Sequence, residues 1–413
     1  MQTTKTDVVI IGAGPAGSVA AAMLSNKGYK VEVIERAHFP RFSIGESLLA
    51  QSIAYLQDAG LYDDIKAHGF QFKDGAAFHL NGVTTSIYFP DKSASGPDTT
   101  FQVMRADFDS ILAKGAAKKG ANVHFGQEVI AFESDEKGAA VTVKEENGEQ
   151  RRIEARFALD ASGFGRTLAK LCNLEYPSDF PVRRAVYGQV VDHISEPSFD
   201  RNKILVSIHP EDKEIWYWLI PLKDGISSIG AVGPQDTIEA AGANDHERLW
   251  NLIKQVPYKA KVLERAEMFR PAATIIGYSC NVKSLVGPSY ALLGNAAEFL
   301  DPVFSSGVTI AFKSASLATD LIDRQFKGDK TVDWQKEFVE ELYVGIDTFR
   351  ECVDAWYTGA LQRIIFNRPK HMTDVSRMLT SVLAGYAWDR DNNFVKEPKR
   401  FMRIVDEACA LQS

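Results

Sequence analysis

The stretch Val8-Val9-Ile10-Ile11-Gly12-Ala13-Gly14-Pro15-Ala16-Gly17 decides the fold. Its first four residues form an aliphatic run without alternation, as expected of a strand covered on both faces in a parallel sheet. Gly12 permits a tight turn, Gly14 lets the backbone approach a pyrophosphate, and Gly17 lets the next helix pack closely on the strand. Residues 18–27 read as that helix, closed by Gly28. Val31-Glu32-Val33-Ile34 is the next strand and ends at Glu35-Arg36, so the N-terminus is one βαβ unit. The helix start supplies unpaired N–H donors for phosphates, and Glu35 stands where it can accept hydrogen bonds from a ribose diol. A lone G-x-G-x-x-G is a weak signal. Strand, helix and acidic residue in register make this a dinucleotide site, with Ala16 in the turn and Arg36 beside the acid as further contacts.

The rest of the chain narrows the class. Its 413 residues are 45% hydrophobic and 24% charged, a globular composition long enough for two or three domains. Lys+Arg 47 against Asp+Glu 54 leave a net charge of −7, which argues against a nucleic-acid binder. Cys172, Cys280, Cys352 and Cys409 lie far apart, and the histidines show no metal-ligand spacing, so neither a disulfide framework nor a metal site is expected. Residues 8–25 carry no charge and are long enough to imitate a membrane span. Gly12, Gly14, Pro15 and Gly17 interrupt them, and no basic segment or cleavage pattern of secretory type accompanies them. A buried strand running into a packed helix is the better reading, in a cytoplasmic protein with no membrane span.

Helical patterns follow at residues 48–59 and 105–119, with short strands between them at 75–89. Strands are expected at 123–125, 128–134, 139–145 and 153–160, then across a second block at 185–232. The chain returns to a strand at 290–293 and enters a long helix at 307–325. From 333 to 366 the spacing of Trp334, Phe338, Leu342, Ile346, Phe349, Val353 and Trp356 is that of one amphipathic helix. This order predicts an α/β fold: a Rossmann-like, doubly wound nucleotide domain with an antiparallel-sheet lobe and a helical C-terminal region. The expected boundaries are 1–182 with 270–330 for the nucleotide module, 183–269 for the sheet lobe and 331–413 for the helices.

Further segments favour FAD over NAD. Arg41 and Gly45-Glu46-Ser47-Leu48 follow the second strand, where a flavin protein threads its chain past the isoalloxazine. Leu159-Asp160-Ala161-Ser162-Gly163 resembles the strand end that approaches FAD again in the FAD-dependent hydroxylase superfamily. Leu293-Gly294-Asn295-Ala296-Ala297 resembles that superfamily's segment at the ribityl chain and pyrophosphate, with Asn295 where an aspartate is usual. The resemblance also points to Arg105 and Val129 as FAD contacts.

Two more motifs sharpen the family. Trp216-Tyr217-Trp218-Leu219-Ile220-Pro221 contains W-x-W-x-I-P, and Phe299 to Gly307 contains F-x-x-P-x-x-S-x-G with Pro302, Ser305 and Gly307. Together with the FAD fingerprint they resemble the flavin-dependent halogenases, in the phenol- and pyrrole-type branch, from the N-terminus to about residue 320. In a strand Trp216, Trp218 and Ile220 share one face. The resemblance implies that this wall, closed by Pro221, keeps substrate from the flavin. Backbone N–H groups at Ser305, Ser306 and Gly307 stand at the positive end of the next helix, which suits a reduced flavin ring and a chloride or bromide ion.

The resemblance further implies that flavin hydroperoxide, formed from reduced FAD and O2, oxidises halide to hypohalous acid. Lys73, in the matching segment Gly69 to Phe78, then directs this acid onto an electron-rich aromatic. A lysine amine can donate a hydrogen bond to hypohalous acid, or form a haloamine if its pKa is lowered. No second dinucleotide fingerprint is visible, so a separate flavin reductase is the expected source of reduced FAD. The expected substrate is a phenol or pyrrole, free or on an acyl carrier protein. The plainer readings are a packed tryptophan pair, a solvated lysine, and amides that serve only the flavin. The competing classes are a flavin monooxygenase or geranylgeranyl-reductase-type oxidoreductase, and a flavin-binding protein without turnover.

Overall fold

A computed structural model describes residues 2–178, 181–277, 280–298, 300–367 and 372–411. Strand Gln2–Ile11 lies centrally in an eight-stranded sheet, parallel to Gln150–Asp160 on one side and Val31–Ile34 on the other. Val8, Val9 and Ile10 have no exposed surface, which explains a run without polar alternation. Asn122–His124 extends the sheet beyond Val31–Ile34, and Tyr290–Leu292 extends it beyond Gln150–Asp160. The hairpin Gln127–Asp135 and Gly138–Glu145 joins Gln150–Asp160 antiparallel. Helix Pro15–Asn26 packs against both Arg105–Lys118 and Gly307–Phe326. The chain thus leaves this module and re-enters it from far downstream. Among the described residues, no helix is long and apolar enough to cross a membrane.

A second, seven-stranded sheet runs in the order Glu267–Ile276, Arg183–Val191, Ile226–Pro234, Trp216–Pro221, Lys203–Ile208, Gly75–Leu80, Val83–Tyr88. It is antiparallel except where Lys203–Ile208 runs parallel to Gly75–Leu80. Its strands therefore come partly from before residue 183, and Glu267–Ile276 reaches past 269. Alternation along Trp216–Pro221 divides the sheet's two faces. Trp216, Trp218 and Ile220 enter the main core beside the first sheet, whereas Tyr217 and Leu219 pack with Leu249, Leu252 and Ile253 of an outer helix.

Two expected helices differ. The helix expected at 48–59 begins only at Ser52: Leu48 N–H donates instead to Phe101 O at 3.1 Å, next to the Ser47–Gln102 bridge. The amphipathic stretch from 333 to 366 divides into Gln335–Glu340, Glu341–Tyr357 and Ala360–Asn367. Gly359 causes the last break, with a φ of +82° that a helix interior does not hold. The periodic side chains keep their inward face, so Leu342, Ile346, Phe349, Val353 and Trp356 are all buried.

The closest approach in the nucleotide turn generates a prediction. A Cβ on Gly17 would lie 1.9 Å from Gly12 O and 3.2 Å from Ala161 Cβ. Gly17→Ala is therefore expected to cost about 3 kcal/mol of apo-protein stability by overpacking, read from denaturant unfolding.

Candidate functional site

A cavity of about 630 Å³ opens at the carboxyl ends of the parallel strands, lined from Gly12, Gly14 and Ala16 at the turn to Trp216 and Trp218 of the second sheet. At its first end, Glu35 accepts from Ala13 N–H at 2.8 Å and from Ala37 N–H at 2.9 Å. The carboxylate thereby fixes the glycine turn as well as facing the cavity, which Arg36 and Val129 also line. In the middle, helix Pro15–Asn26 starts at Gly14 with no side chain capping it, so its first N–H groups are available to phosphate oxygens. A Cβ on Gly12 would meet Ala161 O at 2.6 Å, while one on Gly14 would meet nothing closer than Arg41 at 3.5 Å. Gly12 is thus needed for the turn, and Gly14 leaves room for a ligand.

Two arginines border the same wall. Arg105 holds Asp109 in a bidentate pair at 2.7 and 3.0 Å, and its third nitrogen donates to Ile44 O at 2.6 Å. Arg41 approaches the same carboxylate at 3.4 Å. Asp109, whose role the sequence did not signal, therefore orients both predicted cofactor arginines. Ser47 lines the cavity with a buried hydroxyl that has no hydrogen-bond partner among the described residues.

At the far end stand the paired indoles, with ring centroids 5.9 Å apart and planes tilted by 44°. Trp218 Nε1 donates to Ser228 Oγ at 3.1 Å, and Trp216 Nε1 donates to Tyr357 Oη at 2.9 Å. Tyr357 donates in turn to Asp301 at 2.8 Å, joining the tryptophan wall to the loop before Ser305. Ile220, Pro302, Ser305 and Gly307 complete this end. Ser305 is left-handed at φ +58° and closes the turn Pro302–Phe304 by donating its N–H to Pro302 O at 2.9 Å, so that expected anion donor is already taken. Among the described residues, Gly307 opens helix Gly307–Phe326 with no side-chain cap. Asn295 also lines the cavity, its Oδ1 3.8 Å from where a Gly307 Cβ would stand. Phe299 of the motif lies outside the described residues.

Other sequence candidates stand behind the lining. Asp160 is fully buried and accepts from Ser162 N–H at 2.9 Å and Leu168 N–H at 2.7 Å, so it shapes the returning loop from outside the cavity wall. Gly17, Pro221, Gly294 and Ser306 also support the wall without lining it. Gly294 N–H donates to Ser314 Oγ at 3.0 Å. Lys73 sits on the short strand Gln71–Lys73 with 1% exposure, apart from the cavity lining. Its Nζ donates to Leu48 O at 2.7 Å and lies 5.2 Å from the Phe89 ring centre. Burial pushes this amine down to about 7. Glu46, quoted in the sequence only as part of a loop, lines the ring end as a buried carboxyl that burial pushes up to about 7.

The donor set fits FAD: an open helix N-terminus in the middle, a carboxylate at one end, and at the other an aromatic wall in the same cavity as the uncapped start of helix Gly307–Phe326. Residues 5–257 match the FAD binding domain family. A flavin-dependent halogenase of Penicillium aethiopicum is 31% identical over 395 residues, covering 89% of this chain and 73% of that protein. The 1H-pyrrole-2-carbonyl-[peptidyl-carrier protein] chlorinase of Pseudomonas fluorescens is 29% identical over 402 residues, covering 90% and 88%. A flavoprotein/dehydrogenase from Cytophaga hutchinsonii has a crystal structure that superposes with a TM-score of 0.94, at 38% identity and 99% coverage of both chains. The FAD cavity, the tryptophan wall and these similarities converge, and the chain belongs to the flavin-dependent halogenase family.

Proposed function

We propose that this protein halogenates an electron-rich aromatic of phenol or pyrrole type, using chloride or bromide and reduced FAD from a separate flavin reductase. The observation that carries this reading is the indole pair, which lines the same cavity as Gly307 at the uncapped start of helix Gly307–Phe326. Reduced FAD, when bound, activates dioxygen and supplies the oxidant for halide. The chain's own residues have separate tasks. Glu35, the turn at Gly12 to Ala16 and the arginines bind and orient the cofactor. Trp216 and Trp218 exclude the aromatic from the oxygen-activating face. Halide sits at the positive helix end beside Gly307, because the Ser305 N–H already donates to Pro302 O at 2.9 Å and Ser306 stands behind the lining.

Lys73 is the proposed residue that receives hypohalous acid and passes halogen to the ring. Its low-dielectric surroundings favour the neutral amine, the form able to become a haloamine. The amine is enclosed by Leu48 and Phe89, so productive binding requires substrate to open that layer. The Pseudomonas relative supports a carrier-tethered pyrrole as one substrate form, and a free phenol or pyrrole is the other. The cytoplasm is the proposed location, with the nucleotide module, sheet lobe and helical region acting as one unit.

The similarity to the Cytophaga flavoprotein/dehydrogenase favours a second reading, an FAD oxidoreductase without halogen transfer. Reduced FAD, oxygen and bromide or chloride, supplied with a panel of phenols and pyrroles under hypohalite scavenging, separate the two by product mass. Halogenated product is expected; oxygenated or reduced product independent of halide establishes the second reading. Lys73→Ala is expected to lower halogenated product by at least ~100-fold, the scale of a lost acid–base or covalent group, while reduced FAD is still consumed. Equal product from wild type and variant overturns the lysine assignment. Gly14→Ala is expected to weaken FAD binding by about tenfold or more with the apo melting temperature nearly unchanged, because its Cβ enters the phosphate space. Titration of the flavin fluorescence checks this.

A further inference from the structure

Glu46 is the acid at the ring end of the cavity, and its surroundings are unusual for a carboxylate. The side chain is 2% exposed and accepts from Gln189 Nε2 at 2.5 Å. It also takes a hydrogen bond from Ser228, whose oxygen accepts the Trp218 indole N–H. Gln189 and Tyr187 face it from strand Arg183–Val191, and Ser228 from strand Ile226–Pro234. Two cations stand nearby, and both have other partners. Arg105, on helix Arg105–Lys118, is bound to Asp109 and Ile44 O. Arg270, on strand Glu267–Ile276, donates to Gln189 Oε1 at 3.3 Å and lies over the Phe42 ring. Among the described residues, no ion pair reaches Glu46. Its carboxyl is therefore held by neutral donors beside a space that suits a flavin ring.

That ring changes charge in use, being neutral when oxidised and anionic when reduced at neutral pH and above. Two negative charges in one enclosed cavity repel strongly, because little water screens them. We propose that Glu46 exchanges a proton with solvent in step with the bound flavin's charge, protonated beside the reduced ring and ionised beside the oxidised one. This rests on FAD binding, not on halogen transfer. Burial already pushes the carboxyl up to about 7, so the exchange needs only a modest change in field. Glu46 raises no barrier to oxidised FAD, and it couples the tryptophan wall to the protonation state through Ser228.

The linkage has a definite sign. Above about pH 7 the cofactor-free protein carries ionised Glu46, so binding reduced FAD must take up a proton. Affinity of the wild type for reduced FAD, titrated anaerobically, is expected to fall by about tenfold per pH unit from about pH 7.5 to about pH 9. Glu46→Gln keeps an amide oxygen to accept from Gln189 and removes the charge, and its affinity is expected to stay flat over that range. Equal slopes in the two proteins overturn the proposal. If the variant does not fold, infrared difference spectra of the wild-type FAD complex decide. A carboxylic-acid C=O band gained on reduction at about pH 8 supports the proposal, and its absence overturns it. Neither experiment contains halide or aromatic, so failure here leaves halogen transfer standing, and failure of FAD binding shows as absent bound flavin.

Discussion

The cavity exists because three parallel strands end level with one another. Ile11 lies opposite Ile34 on one side and Asp160 on the other, so Gly12, Glu35 and Ala161 emerge together at one sheet edge. The glycine turn is pressed against Ala161 and tied to Glu35 through the Ala13 amide. Everything beyond that edge depends on it. The helix N-terminus faces outward only because Gly17 lets the helix pack directly on the turn.

The second sheet supplies what the first cannot, an aromatic surface at the far end of the same space. Period-two alternation sends Trp216 and Trp218 inward and Tyr217 and Leu219 outward, so one strand serves both cavity and outer core. Both indoles also satisfy their N–H groups, one on Ser228 and one on Tyr357. A buried indole lacking such a partner would cost stability, so these bonds fix the wall's orientation as well as its position. Tyr357 brings in the C-terminal helices: through Asp301 it connects the wall to the Ser305 loop, 56 residues earlier in the chain.

Much of this was legible locally. The nucleotide turn, its flanking strands and Glu35 obey short-range rules of spacing, and the tryptophan motif announces its shared face by alternation alone. Other features were not local. Asp109 matters because two arginines from separate elements converge on it. Glu46 stood in a quoted loop, yet its character comes from Gln189, 143 residues away, and from burial. The helical pattern begins at Leu48, but Leu48 is drawn into pairing with Phe101 beside the Ser47–Gln102 bridge, where the tertiary hydrogen bonds override propensity.

By itself the sequence determined the βαβ start, the FAD fingerprint, the two family motifs and the inward stripe of the C-terminal helices, because each is a repeat of one backbone geometry. Only the tertiary structure decided which side chains border the cavity and in what state. It enclosed Lys73 between Leu48 and Phe89, set Asp160 behind the wall, and left Glu46 with neutral donors at the ring end. The physical reason is that burial and electrostatic surroundings are sums over residues far apart in the chain, whereas turns, caps and alternation are properties of neighbours.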